Sequence, residues 1–478
     1  MARKETLRVS SSDPANESGT EEFPLSDLDH IISKIYVPVT LVYKLEDHVD
    51  RQQVIEKLRS SLQVTLSQYP CLRGSLRNDE SSNRLFIRKE ESNTVPFNIH
   101  WLDEQEDDFP SYEMLEKKEF PPSLLDVGAL FPSAVFQKQI WGTPTQGDDD
   151  DNKVLVVQAN FIRGGLILGV AVQHNCADGA GIDGFLCEWA GNARRVSEGE
   201  RPTPIDPLIF DRSPLFSTVK EASSFARALA DKSALKKLSD MPHMPEDFKM
   251  PSLSQVIFHF PSAGIARLKE DAKLPGQNVI GSYDAICAII WRCMIRARLP
   301  LLNPDMAATT RFGHTVNARK FLEPALPPRY FGNVVMYPRV DMKVSELLGD
   351  GSLPHVVSTV RPSIQEQLSP AAVKGLCDWI SSVDRKANTY VDTFMGLDMA
   401  MTDWSQMSTY QEHDFGFGLP KAVRWPNTPL DGFLFRYPRR PKDDPTEGFE
   451  LGVFLETSCM ERLIADEELA KYAHPRGL

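Results

Sequence analysis

The spacing of apolar positions changes from segment to segment along the chain, and each spacing names an element. Val54, Leu58, Leu62 and Leu66 recur every four residues, which predicts a helix with one buried face, capped by Asp47 or Asp50 and closed by Pro70. "RLFIR", from Arg84 to Arg88, alternates as a strand does. "KVLVVQANFI" and "LILGVAVQH" are nearly unbroken apolar runs separated by Arg163, Gly164 and Gly165, the pattern of a hairpin of two buried strands. Past Gly179, the residues Ile182, Phe185, Leu186 and Trp189 outline the apolar face of a second helix.

Gly199 to Phe216 then carries four prolines, which predicts a linker. A second series of elements follows: a strand "SQVIFHF", a helix "YDAICAIIWRCMIRARL" with Ser282 as its N-cap, and strands "GHTVNAR" and "NVVMYPRV". Ser345 to Val383 reads as helical pieces cut at Pro354, Pro362 and Pro370. "GFELGVFLET" is a late strand, and Ser458 with Glu461 predicts a capping box on the last helix. Met1 to Glu22 is polar and reads as a loose tail.

At 478 residues the chain exceeds what one hydrophobic core supports. Both halves mix strands and helices. The expected fold is therefore α/β with mixed sheets in two domains: a disordered tail over 1–22, an N-terminal domain over 23–198, a linker over 199–250 and a C-terminal domain over 251–478. The formal charge of −13 argues against nucleic acid or anionic lipid as partners. No run reaches the roughly 20 apolar residues of a membrane span, and the N-terminus lacks a signal-peptide core. The seven cysteines are scattered without zinc or redox spacing, so we expect reduced thiols in a cytoplasmic protein that binds no metal. Asp148 to Asp151 reads as a solvated acidic loop, because it lacks calcium-loop spacing.

Three patterns could carry chemistry. In "HNCADG", His174 stands where a buried strand stops, and an imidazole there can take a proton from an attacking hydroxyl or amine. Asp178 either orients that ring or faces away and pins the turn by pairing with a cation. Gly179 permits a backbone angle or a close approach that other residues resist. In "DFGFG", Asp414, Gly416 and Gly418 read as a tight turn with ring packing beside it rather than a phosphate cradle. In "TVNAR", Arg319 closes an apolar strand and wants a carboxylate, either Asp178 or Asp414. There is no nucleophile elbow, HExxH or P-loop, which disfavours a covalent hydrolase, a zinc protease and a P-loop nucleotidase.

"HNCADG" followed some 240 residues later by "DFGFG" resembles the paired signatures HxxxDG and DFGWG of the BAHD acyltransferases. "FPLSDLDHI", "SYDAICAIIWRCMIRAR", "VNARKFLEPALPPRYFGN" and "MTDWSQM" resemble further segments of that family, from about Phe23 to about Glu467. The polar opening and proline spacing resemble its fungal branch, which includes trichothecene 3-O-acetyltransferases. The resemblance implies two chloramphenicol-acetyltransferase-like domains with a tunnel at their interface. It implies His174 as general base, acting in a ternary complex with acyl-CoA as co-substrate, acetyl-CoA first among the donors. The acceptor would be a hydroxyl of a terpenoid, alkaloid or polyketide, and the protein a monomer. Asp178 would pair with Arg319, and Thr402 and Trp404 would line the tunnel opposite the base. Ser282 would lie near the pantetheine arm. Asp414 would support the core, although some descriptions of the family place it with the catalytic residues. Phe417 replaces the family's tryptophan, and Asp403 stands where a small residue is common; a carboxylate there could alter acceptor choice or raise the pKa of His174. The competing reading is a catalytically silent, metabolite- or partner-binding relative. A condensation domain is disfavoured by Asn175, which breaks that group's tandem histidines.

Overall fold

The computed structural model describes residues 3–13, 19–31, 35–79, 81–82, 84–104, 108–135, 152–237, 240, 251–276, 279–383, 389–425, 430–444 and 446–477. Two mixed sheets dominate it. The first has six strands in the order Lys4–Val9, Val95–Leu102, Leu155–Ile162, Gly165–Gln173, Tyr36–Lys44, Ala422–Arg424. The second has seven: Arg339–Lys343, Thr309–His314, Met399–Asp403, Phe433–Arg436, Phe449–Glu456, Leu253–Phe260, His474–Arg476.

The expected hairpin is the centre of the first sheet. Its strands pair antiparallel with Leu155 opposite Val172, and every residue of both strands is buried. Gly164 makes the turn with φ +74, a left-handed angle that glycine adopts without penalty. Helix Arg51–Gln68 lies against helix Gly179–Glu198, where the Trp189 indole donates to the Leu58 carbonyl (3.2 Å) and the Ser61 hydroxyl (3.0 Å). Asp50 is the N-cap of the first of these helices, accepting from the Gln52 amide. In the other half, helix Ser282–Leu302 is buried around nearly its whole circumference and forms the centre of the second core.

Several expectations need correction. Lys4–Val9, placed in a loose tail, is a strand paired antiparallel with Val95–Leu102, and Glu21–Pro24 pairs with Arg84–Lys89. The tail is polar because it forms a sheet edge, so only the backbone needs partners. Ser282 is the first residue of its helix and the N-cap is Gly281, without a side-chain cap. The last helix is capped by Glu456, whose carboxylate accepts from the Cys459 amide and the Ser458 hydroxyl, so Ser458 and Glu461 form no capping box. Pro362 lies inside helix Leu353–Glu366, while Pro354 and Pro370 start helices where a missing N–H costs nothing. "GHTVNAR" and "NVVMYPRV" yield mostly short pairings, Val316–Asn317 with Val335–Met336, because this stretch bends to reach the first half. Asp148 to Asp151 lie outside the described residues.

The halves are not insulated from each other. Ala422–Arg424 leaves the second half and pairs with Tyr36–Lys44, Val423 opposite Leu41. The core around the first sheet also takes in Ile257, Trp404, Phe435 and Phe454 from the second half, a continuous apolar seam. All seven cysteines are buried and free. Among the described residues, no helix is long and apolar enough to cross a membrane.

Candidate active site

His174 follows directly on strand Gly165–Gln173, and its amide donates to the Ile35 carbonyl at 2.8 Å. The residue is partly exposed, and its Nδ1 is buried. Burial pushes its pKa below the usual imidazole value, only partly opposed by hydrogen bonding, including that of Asn333, and by nearby Asp178 and Asp29. The imidazole is therefore neutral at pH 7, the form that accepts a proton.

Asp178 closes the loop that His174 opens. Its carboxylate meets Arg319 through two parallel bonds, Nη1 to Oδ2 and Nη2 to Oδ1, each 2.8 Å. It also accepts from the amides of Gly181 (3.0 Å) and Val334 (2.9 Å), so it caps helix Gly179–Glu198 and anchors the segment arriving from the second half. Burial works to raise its pKa, but the guanidinium and these donors hold it below the ordinary carboxylate value. Arg319 Nη2 also reaches the carbonyls of Tyr330 (2.9 Å) and Gly332 (3.0 Å), and Nη1 reaches Asn317 Oδ1 (3.1 Å). Of the two partners open to Arg319 from the sequence, the structure selects Asp178. Asp178 is engaged away from the imidazole, so it fixes the turn rather than the ring.

Gly179 does not have a left-handed backbone angle. A Cβ on it would lie 2.6 Å from Nε1 of Trp404, so glycine is required by close approach. That contact brings the segment after strand Met399–Asp403 onto the His174 loop. Trp404 is buried, edge-on to Trp425 (5.5 Å) and Phe435 (4.7 Å). Thr402 accepts from the Thr315 hydroxyl at 3.1 Å, which leaves its own proton available to donate. Asp403 is taken up elsewhere: Oδ2 pairs with Arg436 at 2.8 Å and Oδ1 accepts from the Ser405 amide at 2.8 Å. It is not among the largest influences on the His174 pKa, which are burial, hydrogen bonding, Asp178 and Asp29.

The second signature is built differently. Asp414 Oδ1 accepts from the amides of Gly416 (2.7 Å) and Gly418 (3.0 Å), which have φ +86 and +100. Arg194 holds its carbonyl. Phe415 packs edge-on to Trp189 at 5.0 Å, and Phe417 edge-on to Tyr43 at 5.0 Å. These contacts place the turn against helix Gly179–Glu198 and strand Tyr36–Lys44. Ser282 borders a cleft lined by Gly281, Asp284 and Arg361, where Arg361 pairs with Asp284 at 2.9 Å.

Asp183, Cys187 and His413 bring ligand atoms within 4.8 Å of one another. His413 Nε2 is already 3.1 Å from Asp183 Oδ1, both of whose carboxylate oxygens also accept from the Ser408 amide. Burial raises the Cys187 thiol above its ordinary pKa. This is a contact between helix and loop, not a ready metal centre.

Sequence reasoning singled out neither Arg212 nor Asn333. Arg212 donates to the Cys176 carbonyl (2.9 Å) and Asn333 to that of His174 (2.8 Å). An arginine in a proline-rich linker was the available signal.

Residues 122–470 match the Transferase family, and residues 35–188 match the trichothecene 3-O-acetyltransferase-like N-terminal domain. The chain is 29% identical to acetyltransferase FGR3 of Gibberella zeae, over 97% of this chain and 92% of that protein. It is 25% identical to trichothecene 3-O-acetyltransferase TRI101 of Fusarium sporotrichioides, over 92% and 93%. The solved structure of F. sporotrichioides TRI101 with coenzyme A and T-2 superposes with a TM-score of 0.78 at 21% identity, covering 95% of this chain and 99% of that one. Vinorine synthase superposes with a TM-score of 0.68 at 18% identity, over the whole of both chains.

Proposed function

This chain belongs to the Transferase family and is an acyltransferase, and from that premise we propose that it moves an acetyl group from acetyl-CoA to a hydroxyl of a fungal specialised metabolite. The observation that carries the reading is the close approach of Trp404, two residues after Thr402 in the other half, to Gly179 in the loop that begins at the neutral, strand-mounted His174. The relatives named as acetyltransferases, and the coenzyme A bound in TRI101, support the donor.

In this proposal donor and acceptor reach His174 from opposite sides of a tunnel between the halves. His174 takes the proton of the acceptor hydroxyl as its oxygen attacks the thioester carbonyl. The Thr402 hydroxyl and the Trp404 indole N–H donate to the oxyanion of the tetrahedral intermediate, a service worth about 3 kcal/mol per donor in other enzymes. The intermediate collapses, and the departing CoA sulfur takes the proton back from the imidazolium. Asp178 and Arg319 hold the turn, Asp414, Gly416 and Gly418 hold the supporting loop, and Ser282 lies along the donor's path. Domains over 23–198 and 251–478 joined through 199–250, and a monomer working in the cytoplasm, belong to the same proposal. Seven free buried thiols fit a reducing compartment.

The test is release of free thiol from acetyl-CoA and longer acyl-CoAs with a panel of hydroxylated terpenoids, alkaloids and polyketides, beside His174→Ala. Acceptor-dependent release in the wild type that falls by about a thousandfold or more in the variant is expected. Binding of CoA without turnover by any pairing would instead favour a silent metabolite binder.

A further inference from the structure

We propose that Asp29 is a second positioning carboxylate for His174, acting on its loop through Asn333 and Arg212; this rests on reading His174 as the base. Asp29 is fully buried in the turn Leu28–His30, at the junction of three segments that no local sequence signal connects. Its Oδ1 accepts from the amide (2.8 Å) and the side-chain Nδ2 (2.9 Å) of Asn333. Its Oδ2 accepts from the amide and hydroxyl of Ser26, each 2.8 Å, and from Arg212 Nε at 3.0 Å. Five donors converge on two oxygens. Only a carboxylate, which accepts and never donates when ionised, satisfies them all; an amide would turn N–H groups toward donors on one side.

The clamp ends on the backbone that aims the imidazole. Asn333 Nδ2 is shared between Asp29 and the carbonyl of His174 itself, at 2.8 Å. Arg212, held by Asp29 through Nε, reaches the Cys176 carbonyl through Nη2 at 2.9 Å. The Asn175 side chain donates to the Asp29 carbonyl at 2.8 Å. Residues 174, 175 and 176 are thus each tied to Asp29 directly or through one intermediary.

The arrangement mirrors the one around Asp178. Each carboxylate is buried with its own arginine, Arg212 for Asp29 and Arg319 for Asp178. The consecutive amides of Asn333 and Val334 divide between them, one to Asp29 and the next to Asp178. The His174 loop lies between two ion pairs stitched to one crossing segment. Among the described residues, the charged groups around the loop include those four side chains, with the Cys71 and Cys176 thiols and the Tyr330 and Tyr337 hydroxyls as further titratable neighbours.

A purely structural ion pair would affect stability alone; a positioning carboxylate also sets the titration and rate of the folded enzyme. The experiment measures the His174 Cε1–H proton resonance against pH by NMR, assigned with His174→Gln, in wild type, Asp29→Asn and Asn333→Ala. It runs beside initial rates with acetyl-CoA and an acceptor from the panel of hydroxylated terpenoids, alkaloids and polyketides, and thermal melts to establish folding. In folded Asp29→Asn, loss of the nearby negative charge is expected to lower the His174 midpoint by half a pH unit or more, as an order-of-magnitude figure. The rate is expected to fall by about tenfold to a hundredfold with KM for acetyl-CoA little changed. Asn333→Ala, which removes no charge but takes away a hydrogen bond that raises the His174 pKa, is expected to lower both the rate and the midpoint, and it decides the matter if Asp29→Asn does not fold. A folded Asp29→Asn with the wild-type midpoint, or Asn333→Ala with the wild-type rate, overturns the proposal. Should no acceptor of the panel be turned over, the resonance position of His174 in Asn333→Ala replaces the rate: an unmoved resonance overturns the proposal. Full activity in His174→Ala would defeat the base assignment instead, and the NMR titration separates that failure from this one.

Discussion

The loops at 174–179 and 414–418 both contain an aspartate followed by glycine within two residues, and they use those residues for opposite reasons. Asp178 is buried and bound bidentately by Arg319, while Asp414 is partly exposed and takes two amides of its own turn. Gly179 is glycine because Trp404 occupies the space a side chain would need, whereas Gly418 has open space and a backbone angle of +100. The first loop is shaped by residues more than a hundred positions away, the second mostly by itself. A motif near the chemistry answers to the whole fold, and a motif beneath it answers to local turn geometry.

Asp178→Ala sharpens this contrast most. It leaves the Arg319 guanidinium buried without its carboxylate, and such a break costs about 3–5 kcal/mol. Urea unfolding should show that loss, with activity falling in the protein that stays folded; a variant as stable as wild type would break the comparison. Gly179→Ala comes next. Helix propensity alone would favour alanine by about 1 kcal/mol, but overlap with the Trp404 indole should reverse the sign by about 1–3 kcal/mol. Thermal melts and Trp404 fluorescence check it, and a stabilised variant would mean that the indole gives way freely.

The pH dependence follows from the same burial. His174 has its pKa lowered by desolvation, so the neutral base persists below pH 6.5 and is lost as pH falls through the lowered value. The acid limb of kcat/KM should therefore lie below 6.5, and a limb above that value would show a neighbouring negative charge outweighing burial. Asp414→Asn should have the smallest effect, about 1 kcal/mol or less on stability, because an amide oxygen can still accept from Gly416 and Gly418. Steady-state kinetics should show kcat within about threefold of wild type, as for changes distant from the reacting atoms; a larger fall would move Asp414 into the chemistry.

Much of the fold is written in local pattern. The four-residue spacing from Val54 to Leu66 and the apolar hairpin ending at His174 both became the elements they predict, because burial on one face or both is a local property of the residues. The strand at Lys4–Val9 was illegible, since an edge strand needs no apolar face and is recognised only by its partner. The return of Ala422–Arg424 to the first sheet was illegible for the same reason: three residues carry too little pattern to show where they pair.

At the site, the sequence by itself determined which chemistry was on offer. Imidazole, carboxylate, guanidinium and hydroxyl at His174, Asp178, Arg319 and Thr402 limit what can move a proton or hold a charge, and that depends on residue type alone. The tertiary structure decided the pairings: Arg319 with Asp178 rather than Asp414, Asp403 with Arg436, Asp29 with Asn333 and Arg212. Each pairing joins residues more than thirty positions apart, where nothing in the local sequence encodes the distance. Burial then set the strength of each, because a charge removed from water must find its partner inside the fold.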